Sequence, residues 1–143
     1  MKMSPLDFLF LRMETAENPA HVASLAIYEI PEGYRGNFVR DLRERLLAQA
    51  EVSRPFNLRV KPQGLLPAWY EWEVDANLDL KFHVRHSALP KPGHMNDLMD
   101  LVSRLHGRLL DRSRPLWECY LIERLRRNRF AGYSKMHHSS IDG

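Results

Sequence analysis

The residues best suited to chemistry lie at the C-terminal end of this chain, in the run His137-His138-Ser139-Ser140-Ile141-Asp142-Gly143. An imidazole has an unperturbed pKa of about 6.5, so either histidine could take and return a proton near neutral pH. The carboxylate of Asp142 could fix the surroundings of His138, and Gly143 permits a sharp bend of the backbone. This spacing therefore indicates acid–base chemistry on a loop.

Other chemistries are disfavoured at the same run. Residues 129–136 alternate as a strand does, and extending that alternation places His137 and His138 on opposite faces of the sheet. Joint metal ligation is therefore disfavoured, and because no cluster of cysteines or carboxylates supplies further ligands, we expect no metal site. Ser139 and Ser140 lack the Gly-x-Ser-x-Gly surroundings of an activated serine, so we do not expect a serine nucleophile.

The preceding segments mix helix and strand patterns without a regular βαβ order, which predicts the α+β class, with helices packed on a mixed or antiparallel sheet. The expected helices are one capped by Ser4, one that follows a helical period from Asn37, and one capped by Asn96 that carries leucines as far as Leu110. The expected strands cover residues 21–30, 58–60, 69–74, 80–86, 116–125 and 129–136.

Length and composition describe one ordinary globular domain. The chain has 143 residues, of which 44% are hydrophobic and 27% charged. Its single cysteine, Cys119, excludes an internal disulfide framework and predicts a buried thiol in a reducing cytoplasm. There is no apolar run of about 20 residues that could span a bilayer, and no signal peptide pattern.

The net charge of +3 is too small and too dispersed to indicate a nucleic-acid partner. One dense basic patch stands between the last two strands, where it is either a solvated hairpin tip or a contact for anionic lipid or cofactor phosphates. It comprises Arg124, Arg126, Arg127 and Arg129. The remaining histidines have no mutual spacing that suggests chemistry, and we expect surface or half-buried positions for His21, His83, His86, His94 and His106.

The C-terminal run resembles the HHxxxDG signature of the CoA-dependent acyltransferase superfamily. Three other segments resemble the bacterial wax ester synthase/diacylglycerol acyltransferase family in particular. They are Met3-Ser4-Pro5-Leu6-Asp7 with Phe10, Leu11 and Glu14, then Asn18-Pro19-Ala20-His21-Val22, and finally residues 110–118 with Pro115-Leu116-Trp117. Since the segments occur in collinear order over nearly the whole chain, the chain is identified as a member of that family.

The resemblance implies the N-terminal half of a two-domain fold like that of chloramphenicol acetyltransferase. Residues 1–143 would form the N-terminal acyltransferase domain, which ends at the HHxxxDG motif, and the C-terminal half would be absent. By the same resemblance His138 is the general base and His137 supports it. Asp142 is a structural anchor of the site and Gly143 gives clearance for substrate. Trp117 is expected as scaffold beneath the site, with substrate contact as the alternative.

The implied reaction is O-acyl transfer from long-chain acyl-CoA, a co-substrate, to diacylglycerol or a fatty alcohol, with no permanently bound cofactor. The apolar acceptors imply a cytoplasmic protein able to work at the inner membrane or at lipid inclusions. Transfer to another alcohol or to an amine is the alternative reaction. A non-catalytic binding module is disfavoured because both His138 and Asp142 are present. This fragment alone is expected to be inactive.

Overall fold

A computed structural model of the chain describes residues 1–48, 51–61 and 69–141. The first two predicted helices are confirmed at their starts. The Ser4 hydroxyl accepts the Asp7 N–H at 3.1 Å, and the Asn37 side chain accepts the Arg40 N–H at 3.0 Å. The helical elements are α1 (Pro5–Met13), α2 (Phe38–Leu47), α3 (Leu80–His83), α4 (Met95–His106) and a 3₁₀ turn (His138–Ser140).

Six strands in the described residues form a four-stranded sheet and a separate two-stranded ribbon. The main sheet has the order β1-β6-β5-β4, with β6 antiparallel to both neighbours and β4 parallel to β5. The predicted α+β class with a mixed sheet is therefore confirmed. The strands are β1 (His21–Glu29), β2 (Leu58–Val60), β3 (Trp72–Val74), β4 (Val84–Ala88), β5 (Trp117–Leu125) and β6 (Arg129–His137).

The strand predicted for residues 80–86 is wrong over its first half, where the chain forms α3 before β4 begins at Val84. The side chain of Asp79 accepts the Lys81 N–H at 3.0 Å and so starts a helical turn. The His83 ring then donates from Nδ1 to the Trp117 carbonyl at 2.7 Å and holds the end of that turn against β5. A single helical turn is too short for hydrophobic periodicity to distinguish it from a strand.

The predicted limits of the third helix are also wrong. α4 begins after His94, whose backbone N–H donates to the Asp97 side chain at 3.0 Å, so Asn96 lies inside the first turn. The helix ends at His106 with Gly107 as its cap. Leu110 therefore lies beyond the helix, where it packs in a different cluster.

Helices cover both faces of the main sheet. α4 packs on the face that carries Tyr120, Ile122, Ala131 and Tyr133, whereas α2 packs on the other face, against Leu121 and Phe130. A third cluster lies between α1, the β2–β3 ribbon and the segment that leads into β5. Lys135 and His137 continue the α4 face, since they follow Ala131 and Tyr133 at alternate positions of β6.

The opposite face is incompletely covered near the start of β5. Cys119 is half-buried there rather than buried as predicted, because it lines two grooves on this face of the sheet. The predicted arginine-rich connection is confirmed as the β5–β6 hairpin turn. None of the helices in the described ranges has the length and hydrophobicity needed to cross a bilayer.

Candidate active site

His138 is the first residue of the 3₁₀ turn, directly after β6 ends at His137. The prediction that the strand alternation extends to His138 is therefore wrong. Two neighbours position it. Its backbone N–H donates to the Ala20 carbonyl at 2.8 Å, and its ring stacks on that of Phe10, with centroids 4.3 Å apart. The segment before β1 therefore holds the backbone of His138, and α1 holds its imidazole.

The imidazole of His138 lines a groove of about 500 Å³ between α1 and the segment that precedes β1. Most of the lining is apolar, and Leu9 and Met13 on the outer side of α1 are 49% and 67% exposed. The groove is therefore open to solvent and suited to an apolar chain. Its lining is made by Leu9, Phe10, Met13, Asn18, Pro19, Ala20, His21 and His138.

His137 has a different environment, because its side chain is completely buried. Its Nδ1 accepts the Ser139 N–H at 3.2 Å and lies 2.7 Å from the Ser139 hydroxyl. Its Nε2 lies 3.3 Å from a carboxylate oxygen of Glu14. Since Nδ1 accepts a backbone N–H, the ring proton of the neutral imidazole is on Nε2, which lies beside that carboxylate without a hydrogen bond to it. His137 thus caps the turn that carries His138.

Glu14 connects this histidine to two other segments of the chain, and its side chain is only 1% exposed. Its Oε2 accepts the Ala20 N–H at 3.1 Å, and its Oε1 accepts from the Arg112 guanidinium at 3.0 Å. The guanidinium also donates to the Leu11 carbonyl at 2.7 Å, in the last turn of α1. Glu14 entered the sequence analysis only within a family motif, and its contact with His137 was missed because no local pattern encodes it.

Burial governs the protonation of three histidines. It lowers the pKa of His137, and Arg112, His21 and His138 lower that pKa further, whereas Glu14 raises it. Burial also lowers the pKa of His21 and of His83, against backbone hydrogen bonds that raise each pKa. The prediction that His21 and His83 lie at surface or half-buried positions is wrong, since they are 7% and 1% exposed.

We expect acid to destabilise this domain below a pH of about 6.5, the pKa of histidine in the unfolded chain. Because His21, His83 and His137 have lowered pKa values when folded, the unfolded chain binds protons more readily. Their stabilising contribution is full above about pH 6.5 and is lost as the pH falls through the folded pKa values. The urea midpoint, followed by tryptophan fluorescence, should therefore fall between about pH 6.5 and 5.

A matched pair of variants isolates the histidine contribution to that pH dependence. His83→Gln should make the fall in midpoint less steep, because it removes one buried imidazole. The same change at exposed His94 should leave the slope unchanged. A midpoint that does not vary over this range in the unsubstituted protein would contradict the expectation.

Trp117 begins β5, where it packs on one side and borders a groove on the other. Its indole N–H donates to the Phe56 carbonyl at 2.7 Å, and its ring stacks on His83 with centroids 4.5 Å apart. The side chain is half-buried and lines a groove of about 380 Å³ that also contains Met136 and Ile141. Trp117 is therefore scaffold on one side and groove wall on the other, and its contact with substrate stays a prediction.

Lys135 is a buried cation next to the site that sequence analysis did not single out. It is 1% exposed, and its Nζ donates to the carbonyls of Leu105 and Arg108 at 2.8 and 2.6 Å. The Glu118 carboxylate lies 4.0 Å away and accepts the Tyr120 hydroxyl at 2.9 Å. Burial lowers the pKa of Lys135. The ammonium group thus ties the C-terminal end of α4 to β6, close to His137.

Two predicted site residues, Asp142 and Gly143, lie outside the described residues. Ser139, predicted to be merely small, is 2% exposed and belongs to the cap made by His137. In residues 1–48, 51–61 and 69–141 no three His, Cys, Asp or Glu side chains are grouped so as to hold a metal ion.

Comparison with known proteins gives consistent matches over this chain. The model of the wax ester synthase/diacylglycerol acyltransferase catalytic domain matches residues 3–143. A Mycobacterium tuberculosis protein, provisionally named a diacylglycerol O-acyltransferase, is 48% identical over 143 residues, which are 99% of this chain and 32% of that protein. The chain therefore spans about a third of the length of the curated relatives it matches.

Solved structures give the same picture for the fold. The wax ester synthase/diacylglycerol acyltransferase of Marinobacter aquaeolei VT8 superposes with a TM-score of 0.91 at 40% identity, over 100% of this chain and 35% of that one. The starter condensation domain of rhizomide synthetase shares the fold alone, with a TM-score of 0.66 at 12% identity over 99% of this chain and 34% of that one. The predicted N-terminal half of a CoA-dependent acyltransferase fold is confirmed.

Proposed function

Because the chain belongs to the wax ester synthase/diacylglycerol acyltransferase family, we propose that it carries the general base of an O-acyltransferase. The acyl group passes from a long-chain acyl-CoA to diacylglycerol, which gives triacylglycerol, or to a fatty alcohol, which gives a wax ester. One observation carries the proposal for the base. Of two adjacent histidines, His138 faces an open apolar groove, whereas His137 is sealed in the protein.

The proposed reaction needs one imidazole and no covalent acyl-enzyme. His138 takes the proton of the acceptor hydroxyl as its oxygen attacks the thioester carbonyl. The new C–O bond forms, the tetrahedral intermediate collapses with cleavage of the C–S bond, and the imidazolium returns the proton to the departing sulfur. A general base of this kind contributes roughly 10²–10⁴-fold to rate. Acyl-CoA is a co-substrate here, and no permanently bound cofactor is part of the proposal.

The other proposed roles are supporting ones. His137 fixes the turn that carries the base, Asp142 anchors the same loop, and Gly143 gives the substrate clearance. Trp117 forms part of the wall of a neighbouring groove. We propose that a C-terminal half forms the opposite wall of the cleft in the complete enzyme.

Apolar acceptors must reach the groove from a lipid phase. Leu6, Leu9 and Met13 are exposed on α1, and the last two line the groove that contains His138. We therefore place the working position of the complete enzyme at the surface of the inner membrane or of lipid inclusions, in peripheral contact.

We expect the full-length protein to transfer palmitate from palmitoyl-CoA when diacylglycerol and hexadecanol are offered in parallel, and residues 1–143 alone to transfer none. Proximity and an oxyanion-stabilising donor supply much of the rate of acyl transfer, and both need the opposite wall of the cleft. The activity of both proteins is measured as product formation by thin-layer chromatography and as CoA release by thiol titration. Turnover by residues 1–143 that His138→Ala abolishes would show that this part suffices.

A further inference from the structure

A buried polar network reaches the backbone of His138 from two directions, and Glu14 stands at its centre. On one side Glu14 Oε2 accepts the Ala20 N–H, and the carbonyl of Ala20 accepts the His138 N–H at 2.8 Å. On the other side the same oxygen lies 3.3 Å from Nε2 of His137. The two routes meet at the first residue of the 3₁₀ turn.

The contact with His137 has a consequence for its tautomer. Nδ1 of His137 accepts the Ser139 N–H, which requires that Nδ1 carry no proton. The carboxylate of Glu14 lies 3.3 Å from Nε2 without a hydrogen bond to it, and its negative charge favours the tautomer with the proton on Nε2. The carboxylate on one side of the ring thereby secures the cap on its other side.

Arg112 determines how the carboxylate is oriented. Its guanidinium holds Oε1 of Glu14 at 3.0 Å, which leaves Oε2 for Ala20 and His137. The guanidinium is itself fixed by the Leu11 carbonyl at the end of α1. The ring of His138 rests on Phe10 of the same helix, so one network relates α1, the turn and the imidazole.

We propose that Glu14 is a positioning residue for His138, which acts by fixing the tautomer of His137 and the 3₁₀ turn that His137 caps. The inference rests on the proposed function, in which His138 is the base. Glu14 does not touch the reacting atoms. It determines where the imidazole stands relative to the acceptor hydroxyl.

Glu14→Gln in the full-length protein tests this with little change of volume. The amide NH₂ of glutamine can donate to Nε2 of His137, which favours the proton on Nδ1, where it opposes the Ser139 N–H. We expect kcat to fall by roughly 10–10²-fold, the order of loss that small displacements of a reacting group cause. The KM for palmitoyl-CoA should change by about twofold at most, because no ground-state contact with substrate is removed.

The second readout is the tautomer of His137, by ¹⁵N chemical shifts of histidine-labelled protein assigned by comparison with His137→Asn. Wild type should show protonated Nε2 and unprotonated Nδ1, and Glu14→Gln should reverse or mix them. The Ser139 amide should also exchange its hydrogen faster in the variant. A wild-type kcat in Glu14→Gln, or a lowered kcat with an unchanged tautomer, would overturn the inference.

A matched control lies at the far end of the same sheet. Glu123 is a half-buried carboxylate, with its side chain 13% exposed, and it accepts from Asn37 and pairs with His86 at 3.1 Å. It is about 20 Å along β5 from the site end of that strand. Glu123→Gln should therefore leave kcat and the His137 tautomer unchanged, whatever its effect on stability. A loss of kcat equal to that of Glu14→Gln would show a general effect of removing a buried charge.

Two further variants separate positioning from folding. Arg112→Lys should retain more kcat than Arg112→Ala, because an ammonium can still hold Oε1 of Glu14. In the His137→Asn background, Glu14→Gln should cause little additional loss, since the route through the imidazole is already gone. If the losses of kcat caused by Glu14→Gln and His137→Asn were fully additive, Glu14 would not act through His137.

Failure of the proposed function gives a different result from failure of this inference. A full-length wild type that transfers palmitate to neither acceptor would overturn the proposed function. The tautomer of His137 and the exchange of the Ser139 amide would still decide whether Glu14 fixes the turn.

Discussion

Replacing His138 with alanine is expected to lower turnover by about 10²-fold or more, the loss typical of a missing general base. Folding should survive, because the side chain is half-buried rather than part of the core. The measurement is kcat with palmitoyl-CoA and hexadecanol, together with a thermal melt of the variant. Phe10→Leu should have a smaller effect on kcat, since it keeps an apolar support for the imidazole.

His137 provides the control for this assignment. His137→Asn keeps a side-chain acceptor in the position that caps the turn, so its loss of activity should be smaller than that of His138→Ala. A severe loss in His137→Asn and a mild one in His138→Ala would reverse the two roles. Equal losses with unchanged melts would mean that both imidazoles take part in proton transfer.

Lys135→Met should cost about 3–5 kcal/mol of unfolding free energy, the range found when one partner of a buried charged network is removed. Methionine keeps most of the stem of the side chain but leaves the carbonyls of Leu105 and Arg108 and the carboxylate of Glu118 without the ammonium. Urea unfolding of the full-length protein, followed by tryptophan fluorescence and circular dichroism, measures the change.

An exposed lysine offers the comparison. Lys61 pairs with Glu71 just beyond the end of the β2–β3 ribbon at 3.2 Å, and its side chain is 53% exposed. Lys61→Met should therefore change stability by less than about 1 kcal/mol. If the two substitutions had similar effects, the Lys135 network would not be a main tie between α4 and β6.

The features that sequence analysis predicted correctly are those encoded by near neighbours. The cap of α1 at Ser4, the β5–β6 hairpin with its arginine-rich turn, and the position of His138 at the end of a strand depend on short spacings. Contacts between residues that are distant in sequence were missed, and elements that depend on such contacts were predicted with the wrong limits. Glu14 and His137 meet only when α1 packs beside the end of β6, and no propensity or period reports that contact.

The errors have physical causes of the same kind. The prediction of a strand at α3 is wrong because Asp79 and the anchoring of His83 on β5 determine a single helical turn that periodicity cannot distinguish from a strand. The alternation of β6 places Lys135 on one face of the sheet but does not indicate that its charge is buried. The carbonyls at the C-terminal end of α4, which accept its hydrogen bonds, explain that burial. Tertiary hydrogen bonds, rather than local preference, determine these positions.

The pairing of β1 with β6 has a consequence for how the chain emerges from the ribosome. β1 is an edge strand of the main sheet, and its hydrogen-bonded neighbour is β6, so His21 finds its partner only when His137 has been made. At about 5–20 residues per second, β1 waits on the order of ten seconds. During that interval Val22, Ile27 and Tyr28 are available to chaperones or to a neighbouring nascent chain. The first strand of this sheet to be translated therefore cannot take its native hydrogen bonds until the last strand, β6, has been made.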